Sequence, residues 1–352
     1  MTRNMRLLAS ASVLAATAVA ATPAFAAGTA AGTTVTNSVT LDYKVGGIDQ
    51  SQVSASDTFT VDRKVNLTVV ETSNTPTSVS PGQTAAVTAF SVTNSSNAPL
   101  DFALGATQSN GGTAPHGGKI DKFDVVNLKV YVDTNANGAY DPGTDQEAGY
   151  LDQVAADTSR TVFIVADIPV GRANNDVAAV RLTATAAEAT ATGTLGATVT
   201  QTTGANTAGV DTVFADGTTG GNVARDGIHF AEDDYSVSAA TLTATKTSRV
   251  ISDPLNGSIN PKMIPGAVVE YCIAVANATG SATATAINIS DEVPAQTTYD
   301  PAFGIKLNGT VTGGVCDGGT SGGSYANGIV SGSLSDIGGG GVGTLIFRVS
   351  VK

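Results

Sequence analysis

The chain has no tryptophan, only two histidines and two cysteines, and an aromatic share of 5%. Without Trp, the side chain that stacks best on sugar rings is missing, and eight tyrosines are left to offer that contact. His116 sits in a Gly-rich loop and His229 beside acidic residues. Neither has a nucleophile or metal-ligand partner at a recognisable spacing, so both are read as exposed loop histidines and no catalytic constellation is expected. Basic residues are also scarce: 18 Lys and Arg stand against 30 Asp and Glu, for a net charge of -12. Such acidity disfavours nucleic acid and anionic membranes as partners.

Long apolar runs are absent except for one, from Leu7 to about Ala21. It is shorter than the ~20 residues a membrane span needs. Arg3 and Arg6 precede it and Ala24-Phe25-Ala26 follows, the pattern of a secretory leader over residues 1–26. The expected product is an exported chain without membrane insertion, at the cell surface or outside it, with the periplasm as the alternative. Cleavage removes two positive charges and shifts the net charge to about -14.

What is plentiful is Thr, Val, Ala and Gly. Thr and Val suit pleated strands and Gly supplies turns, so the expected class is all-β. From Thr33 to Val61 two alternating runs flank Gly46-Gly47, with Val35, Val39, Leu41, Tyr43 and Val45 on one side. Two strands cannot bury a core alone. This pair, within residues 27–62, is expected to insert into the first sandwich, because so short a link joins it to Val65. The alternative is strand addition to a neighbouring molecule.

A repeat follows. Pro81-Gly82 opens a run ending FSVTN at Asn94, and Pro265-Gly266 opens a run ending IAVAN at Asn277. Pro-Gly is turn chemistry, and Asn at the far end tolerates the positive φ that stops a strand. The units are expected at 63–240 and 241–352, as tandem immunoglobulin-like β-sandwiches. In the first, Val162, Ile164 and Ile168 alternate with Phe163 and Val165, which marks a central strand buried on both faces. The polar stretch after Ala191 is either a surface excursion or further strands.

Cys272 and Cys316 are expected to form a disulfide in an exported chain, worth roughly 4 kcal/mol through the unfolded state. Cys272 shares a strand face with Glu270, opposite Val269, Tyr271, Ile273 and Val275. The bond would therefore pin a loop from outside the core.

One stretch has metal-ligand spacing: DTNANGAYDPGTD, from Asp133 to Asp145. Asp133, Asn135, Asn137, the Ala139 carbonyl and Asp141 follow the EF-hand ligand order, with Gly138 at the sharp turn. The closing position holds Thr144 instead of Glu, with Asp145 and Glu147 nearby, so that ligand stays open. Calcium is the expected cofactor, against a polar hairpin loop built from Asx turns. Asp211, Asp216, Asp226, Glu232, Asp233 and Asp234 form a second acidic group without regular spacing, read as a solvated edge.

Residues 246–351 resemble the bacterial conserved-repeat domain of unknown function, number eleven of its series. The matching positions are Pro265-Gly266, Tyr271, Ile273, Val275, Asn277, Gly280, Asp291, Pro294 and the closing LIFRVSV. The resemblance implies an immunoglobulin-like sandwich of exported and cell-surface proteins and brings no activity. The first unit shares Phe90 to Asn94 but carries a long insertion. The function expected from all this is a secreted, noncatalytic structural or adhesive surface or matrix protein. Two alternatives stand beside it: a calcium-dependent module binding a glycan or surface protein, and a filament subunit assembling by strand addition with itself or another surface protein.

Overall fold

The computed structural model describes residues 28–109 and 111–352. The expected leader at residues 1–26 lies outside them. Apart from a short 3₁₀ turn at Thr219–Gly221, every regular element among the described residues is a β-strand. No helix among them is long and apolar enough to cross a membrane.

The first unit is two facing five-stranded sheets. One runs, in spatial order, Gln146–Glu147, Val126–Val132, Thr158–Asp167, Ala86–Asn94 and Leu67–Glu71. The other runs Tyr150–Val154, Leu100–Gln108, Val177–Glu188, Ile228–Val237 and Thr77–Val79. Strand Ala86–Asn94 shows the period-2 logic plainly: Ala86, Thr88, Phe90, Val92 and Asn94 are buried and the residues between them are only partly so. Phe90, Val92, Ile164, Phe102, Leu182 and Tyr235 fill the space between the sheets. Burying each large side chain contributes about 1.5–3 kcal/mol. The Tyr235 hydroxyl, on the second sheet, lies 3.3 and 3.2 Å from the carbonyl oxygens of Ala86 and Ile164 on the first and donates across the core.

Thr158–Asp167 is the central strand of its sheet, and Val162 to Ala166 are buried on both faces. Phe163 points away from the core and is covered by Tyr140, ring centroids 6.0 Å apart, with Tyr131 stacked edge-on at 5.0 Å beyond. The polar stretch after Ala191 is mostly a surface excursion. It forms one short strand, Thr212–Phe214, parallel to Arg63–Val65.

The second unit has one sheet ordered Leu242–Ser252, Val268–Asn277, Val342–Val351, Ile305–Leu307 and Thr320–Ser321, with Thr297–Tyr299 also on Val342–Val351. Asn288–Glu292, Ile329–Ser333 and Ser324–Ala326 form the facing sheet. Ile273, Val275, Leu307, Val330, Leu345 and Phe347 make a core separate from that of the first unit. The fold is all-β, two β-sandwiches in sequence with separate cores.

The repeat is visible in atomic detail. Gly82 and Gly266 both take positive φ, +77° and +85°, and their amides donate to Ile168 and Val351 at 3.1 and 2.8 Å. A side chain at either would be strained by that φ alone. Asn94 and Asn277 differ from expectation: neither has positive φ. Both are buried, and their amides close the ends of the strands from inside.

The expected insertion of the amino-terminal strand pair into the first sandwich is corrected by its pairing. Among the described residues, Thr34–Leu41 and Val53–Thr60 pair only with each other, in a separate two-stranded sheet. The physical reason lies at the root. Asn97 holds the chain there, its Nδ2 donating to the carbonyls of Thr29 and Asp62 at 3.1 and 2.9 Å and its Oδ1 accepting from Lys64 N at 2.8 Å. Arg63 then clamps Glu188 through two bonds of 2.5 and 2.7 Å. Arg63–Val65, the next strand in the chain, pairs in parallel with Thr212–Phe214 and not with the hairpin. Asn97 and Glu188 mark one end of the first unit, whereas Asn174 at the other end contacts Ala239 and Gly280 of the following segment.

Candidate functional site

Three places carry chemistry, and the sequence singled out two of them. The Asp133–Asp145 loop joins Val126–Val132 to Gln146–Glu147 on the outer strands of the first sheet, anchored by Tyr140 against Phe163. Gly138 takes φ +79°, as the sharp turn requires. Asp133 is buried, with Oδ1 and Oδ2 accepting from the amides of Asn137 and Gly138 at 3.3 and 2.8 Å. Asp145 is also buried, accepting from Thr134 N at 3.0 Å and Asp141 N at 2.8 Å. Asn135 and Asn137 both donate Nδ2 to Asp141 Oδ2, at 2.9 and 2.6 Å, and these bonds hold the Asp141 carboxyl below its ordinary pKa, Asn135 foremost. Ala139 N is bonded to Asn137 Oδ1 at 2.9 Å. These bonds link Asp133, Asn135, Asn137, Asp141 and Asp145 through one loop, and Ala139 joins it by its amide and not by its carbonyl. Glu147 turns outward to Lys129 at 2.7 Å instead.

Cys272 and Cys316 are bonded, with Cα atoms 5.5 Å apart. They pack with Ile346 and Phe303 in a small cluster outside the main core of the second unit. Beside them the buried Glu270 is gripped from both sides, by Arg249 at 2.6 Å and Arg348 at 2.8 Å. Two guanidinium groups make its burial affordable, where an unpaired carboxylate would be costly.

The third place was missed. His229 is a buried strand residue whose Nδ1 accepts from Val69 N at 3.1 Å, and burial lowers its pKa. His116 is only 15% exposed at its side chain and stands 3.2 Å from Asp233 and 3.9 Å from Glu71. Neither is the exposed loop histidine that was expected. The acidic group is likewise no solvated edge: Asp211, Asp216, Asp233 and Asp234 are all buried. Asp211 and Asp216 cap turns, accepting from Thr207 and from Asp226 and Gly227. Asp233 faces inward between the sheets, bonded to Thr88 and to Thr77, and burial raises its pKa, as it does for Asp234. A signal existed, since Leu67, Val69 and Glu71 alternate on one face just as Asp233 and Tyr235 do.

The amino-terminal hairpin carries several exposed apolar side chains. Its register pairs Val35 with Phe59, Val39 with Ala55 and Leu41 with Val53 on one face, which the polar pair Asn37 and Asp57 interrupts, while the other face is Thr and Ser. Val39, Leu41, Val53 and Phe59 are 63%, 57%, 52% and 61% exposed. The tip pairs Val45 with Ile48 around Gly46 and Gly47, both at positive φ as a tight hairpin turn demands.

No family model matches the chain, and no curated protein matches it. Among solved structures, it is similar to the C-terminal domain of the AgI/II polypeptide BspA of Streptococcus agalactiae, at 10% identity over 81% of this chain and 91% of that one, with a TM-score of 0.33. It is also similar to the CupB6 tip adhesin of Pseudomonas aeruginosa, at 9% identity over 82% and 88%, TM-score 0.28. The collagen adhesin of S. aureus aligns at 13% identity over 83% and 84%, TM-score 0.21. These TM-scores lie well under 0.5, and it is the sheets and cores above that define the sandwiches.

Proposed function

We propose that the chain is an exported, noncatalytic structural subunit of a cell surface or extracellular matrix, joined to its neighbours through the amino-terminal hairpin. The observation that carries this reading is the hairpin itself, an amphipathic ribbon with an apolar face and two open edges, held off the sandwich. A lone two-stranded hairpin is marginal in water, and an apolar face of this kind marks an interaction surface. Strand addition satisfies both edge and face at once. The occupant is a second copy of this chain, because the same chain offers an acceptor. Strand Leu242–Ser252 is the edge of the second unit's larger sheet, eleven residues long and exposed over most of its length. Donor and acceptor lie on different units, so the contact is heterologous and does not close on itself.

The remaining features suit such a subunit. The leader read at residues 1–26 supports export. The Cys272–Cys316 bond and the Arg249–Glu270–Arg348 cluster stiffen the second sandwich. Calcium belongs to the same proposal: the Asp133–Asp145 loop is an all-oxygen and amide donor set of the kind a hard cation takes.

The experiment is sedimentation velocity and electron microscopy on the mature protein and on a variant lacking residues 33–61. Concentration-dependent open assemblies that disappear on deletion support the reading. A protein that is monomeric throughout, or one that assembles equally well without the hairpin, overturns it.

A further inference from the structure

At the open side of the first sandwich, the edge strand Leu67–Glu71 faces Ile228–Val237, and the loop around residue 116 folds over the gap. Glu71 and Asp233 both point into this mouth, with side chains 8% and 0% exposed. His116 Nε2 lies 3.2 Å from Asp233 Oδ1 and 3.9 Å from Glu71 Oε2, and it is buried without a hydrogen-bond partner among the described residues. We propose that Glu71, His116 and Asp233 bind one zinc-class divalent ion.

The distances fit. Ligand atoms at ~2.0–2.1 Å around a tetrahedral ion are about 3.3 Å apart, and the three atoms here all lie within 4.8 Å of one another. The ligands are already fixed by their surroundings, as second-shell groups do at metal sites. Thr88 and Thr77 hold Asp233 Oδ2, and the amides of Ser73 and Asn74 hold Glu71. Asp234 accepts from the His116 amide at 3.1 Å and so pins the loop. Charge points the same way. Asp234 is 1% exposed, and its second oxygen has no partner. Three carboxyl groups thus gather around one imidazole. Lys119, whose charge acts on Asp234, is hydrogen-bonded to Asn175 and Ser236. A cavity of about 390 Å³, lined by Val69, Pro115 and His229 among others, opens onto the site and gives entry and room for a water ligand. An imidazole with two carboxylates favours zinc, cobalt or nickel over calcium or magnesium. The ion would fasten the loop over the sandwich mouth.

The test uses the chelator-treated mature protein with its disulfide intact, titrated with zinc by calorimetry and with cobalt by visible absorption. One zinc per chain is expected, with a cobalt spectrum of low coordination number. Affinity should fall about a hundredfold or more in His116→Ala and in Glu71→Gln, be unchanged in Asp133→Ala, and survive excess calcium. Both site variants lie at the rim, and their far-UV circular dichroism should match the parent. Absence of saturable zinc binding, zinc affinity untouched by His116→Ala, or displacement by calcium overturns the site in favour of a histidine paired with its carboxylates.

Discussion

Asn94 and Asn277 perform the same task in the two sandwiches. Asn94 Nδ2 donates to the carbonyls of Ala98 and Val154, at 3.0 and 2.8 Å, and Asn277 Nδ2 to those of Ala282 and Ile337, at 2.7 and 2.9 Å. Each Oδ1 accepts a backbone amide, from Ser96 and Thr241 respectively. Both amides are thereby satisfied in positions shut off from water.

Removing either amide should therefore unfold one unit and spare the other. Asn94→Ala leaves the buried Val154 carbonyl unpaired, at ~1–3 kcal/mol, and frees the half-buried Ala98 carbonyl, and Asn94→Asp is no remedy because a carboxylate cannot donate. Calorimetry should show Asn94→Ala lowering the transition of the first sandwich and Asn277→Ala that of the second. Equal lowering of both transitions by either variant would mean that the repeats melt together.

The disulfide gives a second, one-sided effect. Cys272 and Cys316 lie outside the second core, so reduction should destabilise that unit by roughly 4 kcal/mol through the unfolded chain while its sheet stays assembled. The first unit should melt unchanged. Melting with and without reductant, followed by circular dichroism, checks both.

Calcium should act on the first unit alone. At ~1 mM calcium and a Kd of ~0.1 mM, binding adds about 1.4 kcal/mol. Asp133→Ala should lower the melting temperature in calcium but not in chelator. Equal loss in both conditions would reduce the loop to its Asx turns.

The root of the hairpin should respond to acid. The Arg63 guanidinium, by its hydrogen bonds first, holds Glu188 below the ordinary carboxylate range. A depressed folded pKa contributes stability that is full above the unfolded value of ~4.3 and is lost as pH falls through the lower folded value. With Glu188 partly exposed, the effect is under ~1 kcal/mol. Wild type should exceed Glu188→Gln in stability at neutral pH, and the difference should vanish as pH falls through that range. A difference independent of pH would point to packing instead.

Much of the fold was legible because period 2 and turn chemistry are local. Pro81-Gly82, Pro265-Gly266 and the doubly buried Val162–Ala166 could be read directly, as could the cysteine pair. The Glu71, His116 and Asp233 cluster could not, because three segments far apart in sequence meet there. Each residue alone looks like a solvated charge. The inward face of Glu71 was written in the alternation Leu67, Val69, Glu71, but nothing local says what it meets. The hairpin was misjudged for a related reason. A short link to Val65 says nothing of which strands pair, and the strand that follows the hairpin, Arg63–Val65, takes its partner from Thr212–Phe214, remote in the chain.

Amide hydrogen exchange on the hairpin tests strand addition most directly. In Thr34–Leu41 and Val53–Thr60 the outward amides of each strand have no strand partner among the described residues. Under assembling conditions, alternate amides along one of these strands, together with those on the free side of Leu242–Ser252, should slow by orders of magnitude relative to dilute protein. Exchange along both edges that stays fast at every concentration would contradict strand addition between copies.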